Sequence, residues 1–233
     1  MSVVNSHYKI GEINDGLRDH MNKTYSLIAY GIGLSAFVAW LIGYTSLRSL
    51  VFTGDGELTI LGHIGLWAPL LLLVGALFRF FGNSVSSLRT LYWSFVALQG
   101  VGLSLVFLSV EASTIVQALS VTCATFAVMS YYGYTTRRDL TGMGRFLFMG
   151  LIGIIIAAIA NIFMGFDSLD FAISVIGVLV FSGLTAYDTQ KLKNSYSAHM
   201  TDEELMKSRY WLALGLYLNI LNLFNFFLSL GRG

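Results

Sequence analysis

Seven stretches, at 25–44, 60–78, 91–110, 113–132, 146–164, 171–187 and 210–230, contain no Asp, Glu, Lys or Arg, so all 14 basic and 13 acidic residues of this 233-residue chain lie between or outside them. A soluble helix needs a charged or polar face toward water, and such segregation leaves none. The 55% hydrophobic and 12% charged composition agrees with a chain whose surface is lipid. At about 1.5 Å of rise per residue, stretches of this length cross a hydrocarbon core roughly 30 Å thick. Transmembrane strands are a poor alternative, because the stretches are apolar on every side and do not alternate. The expected fold is an all-α membrane protein, a seven-transmembrane-helix bundle over 25–230 read as one domain, preceded by a cytoplasmic segment at 1–24.

Lys and Arg in the connections set orientation. Lys9, Arg18 and Lys23 precede the first stretch; Arg79 and Arg89 lie between the second and third, Arg137, Arg138 and Arg145 between the fourth and fifth, and Lys191, Lys193, Lys207 and Arg209 between the sixth and seventh. The other side holds only Arg48 and Arg232, with Asp55, Glu57, Glu111, Asp167 and Asp170. The amino terminus is therefore expected in the cytoplasm and the carboxyl terminus outside. The first 22 residues have no apolar core, so no cleavable signal peptide is expected and the first helix directs insertion. The single cysteine, Cys123, excludes a disulfide framework or a cysteine metal cluster. With a net charge of +1 and no basic tract, the sequence offers nucleic acid no electrostatic footprint. Small residues at Gly31 and Gly33, Gly100 and Gly102, and Gly150 and Gly153 suit close helix approach, and Pro69 predicts a kink in the second helix.

Polar groups inside a bilayer are costly and draw attention first. Asp188, in Thr185-Ala186-Tyr187-Asp188-Thr189-Gln190-Lys191, ends the sixth stretch on the side read as cytoplasmic. It is the strongest candidate for a functional group, or an interfacial carboxylate paired with Lys191 or Arg79. Arg79 ends the second stretch on the same side, where a guanidinium can hold a carboxylate bidentately or reach the headgroups. Asn219, Asn222 and Asn225 recur at three-residue spacing near one face of the last helix, a pattern that helix-packing hydrogen bonds also explain. Glu111 ends the third stretch on the other side. His63, Gln99, Gln117 and Asn161 are isolated polar residues suited to packing.

Enzyme chemistry lacks a complete constellation. His63 is the only histidine within a stretch, so an intramembrane serine protease has no base near a Gly-flanked serine. Glu203 and Glu204 lie in a connection with no helical histidines after them. Tyr187-Asp188 looks like half of an intramembrane aspartyl protease, but no Gly-x-Gly-Asp follows, and two carboxylates are the minimum for that chemistry. A retinal receptor would need a mid-membrane lysine. The chain is expected not to be an enzyme and to carry no cofactor.

Tyr132-Gly133-Tyr134-Thr135-Thr136-Arg137-Arg138-Asp139-Leu140, the run around Asp188, and Leu216-Tyr217-Leu218-Asn219-Ile220-Leu221-Asn222-Leu223-Phe224 resemble the bacterial branch of the Bax inhibitor-1 family, the transmembrane Bax-inhibitor-motif proteins. The resemblance runs from the first helix to the last. It implies a seven-helix bundle with the seventh helix central, and a passive, pH-sensitive cation leak, chiefly for calcium. The gate it implies is a pair of aspartates on the sixth and seventh helices with an arginine from the second nearby. Asp188 matches the first aspartate, which makes it the implied gate and a weak calcium contact, and Arg79 matches the arginine. The other aspartate position departs: many relatives have Leu-Tyr-Leu-Asp where this chain has Leu-Tyr-Leu-Asn, ending at Asn219. That departure bears on calcium binding and pH response more than on the fold.

These readings predict an inner-membrane protein that passes cations, calcium foremost, along a path closed near Asp188, with the lipid bilayer and the permeating ion as its partners. The alternative is a non-transporting protein that binds other membrane proteins, such as a protease or chaperone system, and modulates stress responses.

Overall fold

The computed structural model describes the backbone of residues 2–77 and 84–232, and side chains over 15–76 and 84–232. Among the described residues eight α-helices follow one another: α1 (Ser2–Tyr44), α2 (Arg48–Val51), α3 (Ile60–Leu77), α4 (Val85–Ser109), α5 (Ala112–Thr135), α6 (Thr141–Met164), α7 (Asp167–Asn194) and α8 (Asp202–Leu230). Among the described residues the only extended pairing is an isolated bridge between Phe52 and Leu58, in the turn between α2 and α3. Over their described residues all seven charge-free stretches fall on helices, except that Val110 lies just past the end of α4. Six of these helices, α1 and α4 to α8, are long and apolar enough to cross a membrane. The stretch at 60–78 gives a shorter apolar helix, Ile60–Ala76, within α3. The helical state is forced by the bilayer, where only a helix satisfies every backbone N–H and C=O within its own segment. The chain is thus a multi-pass integral membrane protein.

Several helices continue past the apolar stretches that define them. α8 starts at Asp202, where a capping box closes its first turn: Thr201 N donates to Glu204 Oε2 at 2.8 Å, and Glu204 N donates to Thr201 Oγ1 at 3.3 Å. Ser84 starts α4 by accepting from the Ser87 amide. Gly165, in the left-handed region at φ 65°, ends α6 as such a position favours.

The chain forms two compact units, one of Met1–Glu111 with Tyr196–Leu214 and one of Ala112–Ser195 with Gly215–Gly233. In the first, α1 packs along α4. Tyr92 is fully buried and donates its hydroxyl to the Leu27 carbonyl at 2.6 Å, and Ser35 donates to the Val96 carbonyl at 2.6 Å. Gly31 and Gly100 permit this approach, since a Cβ on Gly31 would lie against Tyr92 and Val96 and one on Gly100 against Ser35 and Val38. Gly33, by contrast, has nothing within 4 Å of such a Cβ, so only one glycine of that pair serves the contact. α3 runs through Pro69 and packs on α4, with Gly65 against Val101.

In the second unit α7 packs against both α5 and α6. Ile154, Ile173, Val180, Phe181, Leu184 and Leu223 form its core. α6 has the highest mean hydropathy of the six spans, 2.6, yet only 6% of it is buried, which is how a helix facing lipid reads. Hydroxyls inside the helices are mostly satisfied without leaving them. Thr24, Ser109, Ser120, Thr122, Thr135 and Thr185 each donate to the carbonyl four residues back, whereas the Ser35 hydroxyl is shared between the Gly31 carbonyl of its own helix and Val96 of α4.

Candidate functional site

Asp188 lies near the end of α7, in a run of five residues that are each fixed by another part of the second unit. Ala186 is fully buried, and its backbone lies where a side chain on Gly133 of α5 would have to go: a Cβ there would fall 2.9 Å from the Ala186 Cα and would overlap its carbonyl oxygen. The Tyr187 ring rests on Gly144 of α6. Thr189, fully buried, donates to Ser130 Oγ of α5 at 3.1 Å. Gln190 clamps the α5–α6 connection with both ends of its amide, accepting from the Leu140 N–H at 2.8 Å and donating to the Arg138 carbonyl at 2.8 Å. Asp188 itself accepts from Asn219 Nδ2 of α8, through Oδ2, at 2.7 Å.

The Asp188–Asn219 contact joins two helices through one short, charge-assisted hydrogen bond. Asn219 is buried at 4% exposure, and Gly215, one turn earlier on α8, presents only its backbone toward the same carboxylate oxygen. No cation lies within ion-pair distance of Asp188 among the described residues. Lys191, in the next turn of α7, acts on it through space. A carboxylate in these surroundings is an acceptor-only group of up to four lone-pair sites, of which one is filled by the amide. It can bind a proton, or present oxygen to a hard cation together with the Asn219 carbonyl oxygen.

Of the residues singled out in the sequence, the structure brings together Asp188 and Asn219. Arg79 lies outside the described residues. Asn222 donates within its own helix, to the Leu218 carbonyl at 2.8 Å, and Asn225 is exposed. Glu111 is exposed between α4 and α5. Among the described residues no group of three or more His, Cys, Asp or Glu is placed to hold a metal ion.

Gln190 and Ser130 were not singled out by sequence, although Gln190 lies two positions from Asp188. Their roles depend on which faces of α5 and α7 meet, and spacing along one helix does not reveal that. The clamp has a measurable weight. Gln190→Ala leaves a buried amide and a carbonyl without their partners, so it is expected to lower stability by about 2 kcal/mol. Thermal unfolding of the purified protein in detergent checks this, and an unchanged melting temperature would show that water replaces the amide at no cost.

A second cluster, in the first unit, also escaped the sequence reading. His20 is fully buried and accepts at Nδ1 from Arg209 Nε at 3.3 Å, while Arg209 pairs with Asp19 at 3.3 Å and Lys23 pairs with Asp19 at 2.8 Å. Tyr196 lies beside the imidazole, with ring centroids 5.9 Å apart. The i, i+4 spacing of Asp19 and Lys23 was the visible signal. Nothing near Arg209 indicated that it would reach α1.

Comparison with known proteins places this geometry in context. A family model described as "Inhibitor of apoptosis-promoting Bax1" matches residues 17–231. An uncharacterized protein of Caulobacter vibrioides is 39% identical over 227 residues, covering 95% of this chain and 91% of that one. The inner membrane protein YbhL of Escherichia coli K12 is 38% identical over 212 residues, covering 90% and 89%. The uncharacterized membrane protein SpyM3_0260 of Streptococcus pyogenes is 33% identical over 224 residues, covering 95% of each.

Proposed function

Because this chain belongs to the Bax inhibitor-1 family, we propose that it is a passive, pH-sensitive cation leak of an inner membrane, calcium foremost, closed at the Asp188–Asn219 pair. The observation that carries this reading is the 2.7 Å hydrogen bond by which an ionisable side chain near the end of one apolar helix is held by an amide on another. Ionisable groups in such surroundings mark ion and proton pathways by default. The inner membrane is the location named for the similar YbhL. α3 supplies a seventh crossing, since its 18 residues span roughly 27 Å. The amino terminus lies in the cytoplasm, which puts the Asp188 end of α7 there too, on the side with most of the Lys and Arg.

The gate works by competition for one carboxylate. In the closed state Asp188 is ionised and ties α7 to α8 through Asn219. A calcium ion that reaches it offers stronger electrostatics than the amide, and the Asn219 carbonyl oxygen then turns from bystander to ligand. Protonation of Asp188 has a different effect: it removes the charge that draws the cation and weakens the bond that closes the helices.

Calcium efflux from proteoliposomes tests the proposal. Asp188→Ala removes a hydrogen bond to a charged group, about 1.5–3 kcal/mol of closure, so flux is expected to rise about 10- to 100-fold where closure limits it. Flux from natural protein no greater than from empty liposomes, and unchanged in a folded Asp188→Ala variant, would sink the leak and leave a non-transporting interaction protein as the better reading.

A further inference from the structure

A basic concavity of about 400 Å³ lies where the α5–α6 connection meets the end of α7; Thr136, Arg137, Arg138, Asp139, Gln190 and Lys193 are among the residues that line it. Three cations thus face one carboxylate. Lys193 is committed to the wall: its Nζ donates to the Tyr134 carbonyl at 2.8 Å, 5.1 Å from the centre of the Tyr134 ring. The Asp139 carboxylate is committed as well, accepting from the Thr141 amide at 2.9 Å at the start of α6. The Thr141 hydroxyl, and after it that amide, hold its carboxyl below the ordinary range. Arg137 and Arg138 are exposed, and neither has a carboxylate within 4.0 Å among the described residues.

Two adjacent guanidinium groups repel one another unless an anion lies between them. Part of their field is absorbed by the ends of α5 and α7, whose last carbonyls carry partial negative charge. Lys193 already serves one α5 carbonyl, that of Tyr134, and the arginines are left for something else. Their backbone is rigid, because Gln190, only 8% exposed, grips the Arg138 carbonyl and the Leu140 amide from beneath. The Thr136 hydroxyl accepts from the Arg138 amide at 3.3 Å and retains its own O–H to donate.

The depth of the concavity selects the anion. Tyr131, Tyr132 and Tyr134 in the last turns of α5, and Phe146 early in α6, are all exposed. Aromatic side chains gather in this way at the headgroup level of a bilayer. We propose that the concavity binds the phosphate of an anionic phospholipid headgroup, with Arg137 and Arg138 as its bidentate partners and Thr136 as a further donor. The same phosphate chemistry would suit a soluble phosphate, but the exposed tyrosines at the end of α5 favour one delivered by lipid. The proposal rests on these groups alone and is independent of any leak.

The experiment counts bound lipids by native mass spectrometry on the delipidated full chain, titrated with phosphatidylglycerol, with phosphatidylcholine of the same acyl chains, and with inorganic phosphate. Phosphatidylglycerol is expected to bind in preference to phosphatidylcholine and to persist in millimolar inorganic phosphate. The double variant R137Q/R138Q is expected to need about tenfold more phosphatidylglycerol for half-occupancy. R48Q/K207Q, which removes the same charge elsewhere, is expected to bind as the natural protein does. Equal binding of the two lipids, displacement by inorganic phosphate, or equal weakening in both double variants would each overturn the assignment.

Discussion

Asn219→Asp is expected to move the pH response of cation flux toward neutrality by about 1–3 units and to reverse its sense, the closing bond being lost when a proton leaves the pair and no longer when one arrives. The substituted side chain is nearly isosteric with the amide, so its oxygen enters at the position of Asn219 Nδ2, 2.7 Å from Asp188 Oδ2. Two negative charges about 3 Å apart repel by about 5 kcal/mol at an effective dielectric of about 20, so the doubly ionised pair is strongly disfavoured. The two carboxyls then share a proton over a range where the natural pair, with only one acid, shares none. That shared proton is lost near neutral pH, and with it the bond between α7 and α8. A second carboxylate also favours calcium, which prefers several charged oxygen ligands. The measurement is dye-reported calcium efflux from proteoliposomes across a pH series for both forms. If the natural protein already switches steeply near pH 7 and the variant follows the same curve, the sensor is elsewhere.

Gly133→Ala is expected to destabilise the protein by about 3 kcal/mol and to disturb the Asp188 site, though it adds only one methyl group. In an open helical position the same change is favourable by roughly 0.5–1 kcal/mol, because alanine restricts the unfolded chain. At Gly133 the added carbon meets the backbone of Ala186, which no rotamer change can move. α5 and α7 must separate, and the Ser130–Thr189 bond and the Gln190 clamp lie along the same seam. Gly153→Ala in α6 is the control, since a Cβ there has nothing within 4 Å. Thermal unfolding in detergent should show a lower midpoint for Gly133→Ala and an unchanged or higher one for Gly153→Ala. Equal midpoints would mean that α5 and α7 slide apart without cost.

The helices were legible in the sequence because their cause is one-dimensional: a run without charge and long enough to span hydrocarbon has no other way to satisfy its backbone. Their ends were less so. α8 begins at Asp202, eight residues before its apolar stretch, because a helix stops where its caps are and not where lipid stops. The Thr201-Asp202-Glu203-Glu204 run carries that capping signal, which hydropathy does not register. The pairing of Asp188 with Asn219 came from family resemblance; nothing in the spacing of residues 31 positions apart implies contact. Gly133, Ser130 and Gln190 stayed hidden for the same reason, since helix register across an interface is a property of two segments at once. The asparagine stripe dissolved into separate roles, with Asn219 reaching another helix, Asn222 bonding its own backbone and Asn225 exposed.

The habit of serine and threonine here of bonding the carbonyl four residues back has a consequence for biogenesis. A helix whose hydroxyls are already satisfied presents no orphan donors to lipid, so it can leave the translocon alone and wait for its neighbours. Asp188, Asn219, Gln190 and the Ser130–Thr189 pair are different, because each bonds a partner on another segment. Insertion and assembly therefore draw on separate sets of residues. Substitutions in the first set would be felt while the chain is still being made, and substitutions in the second only once all its helices have arrived.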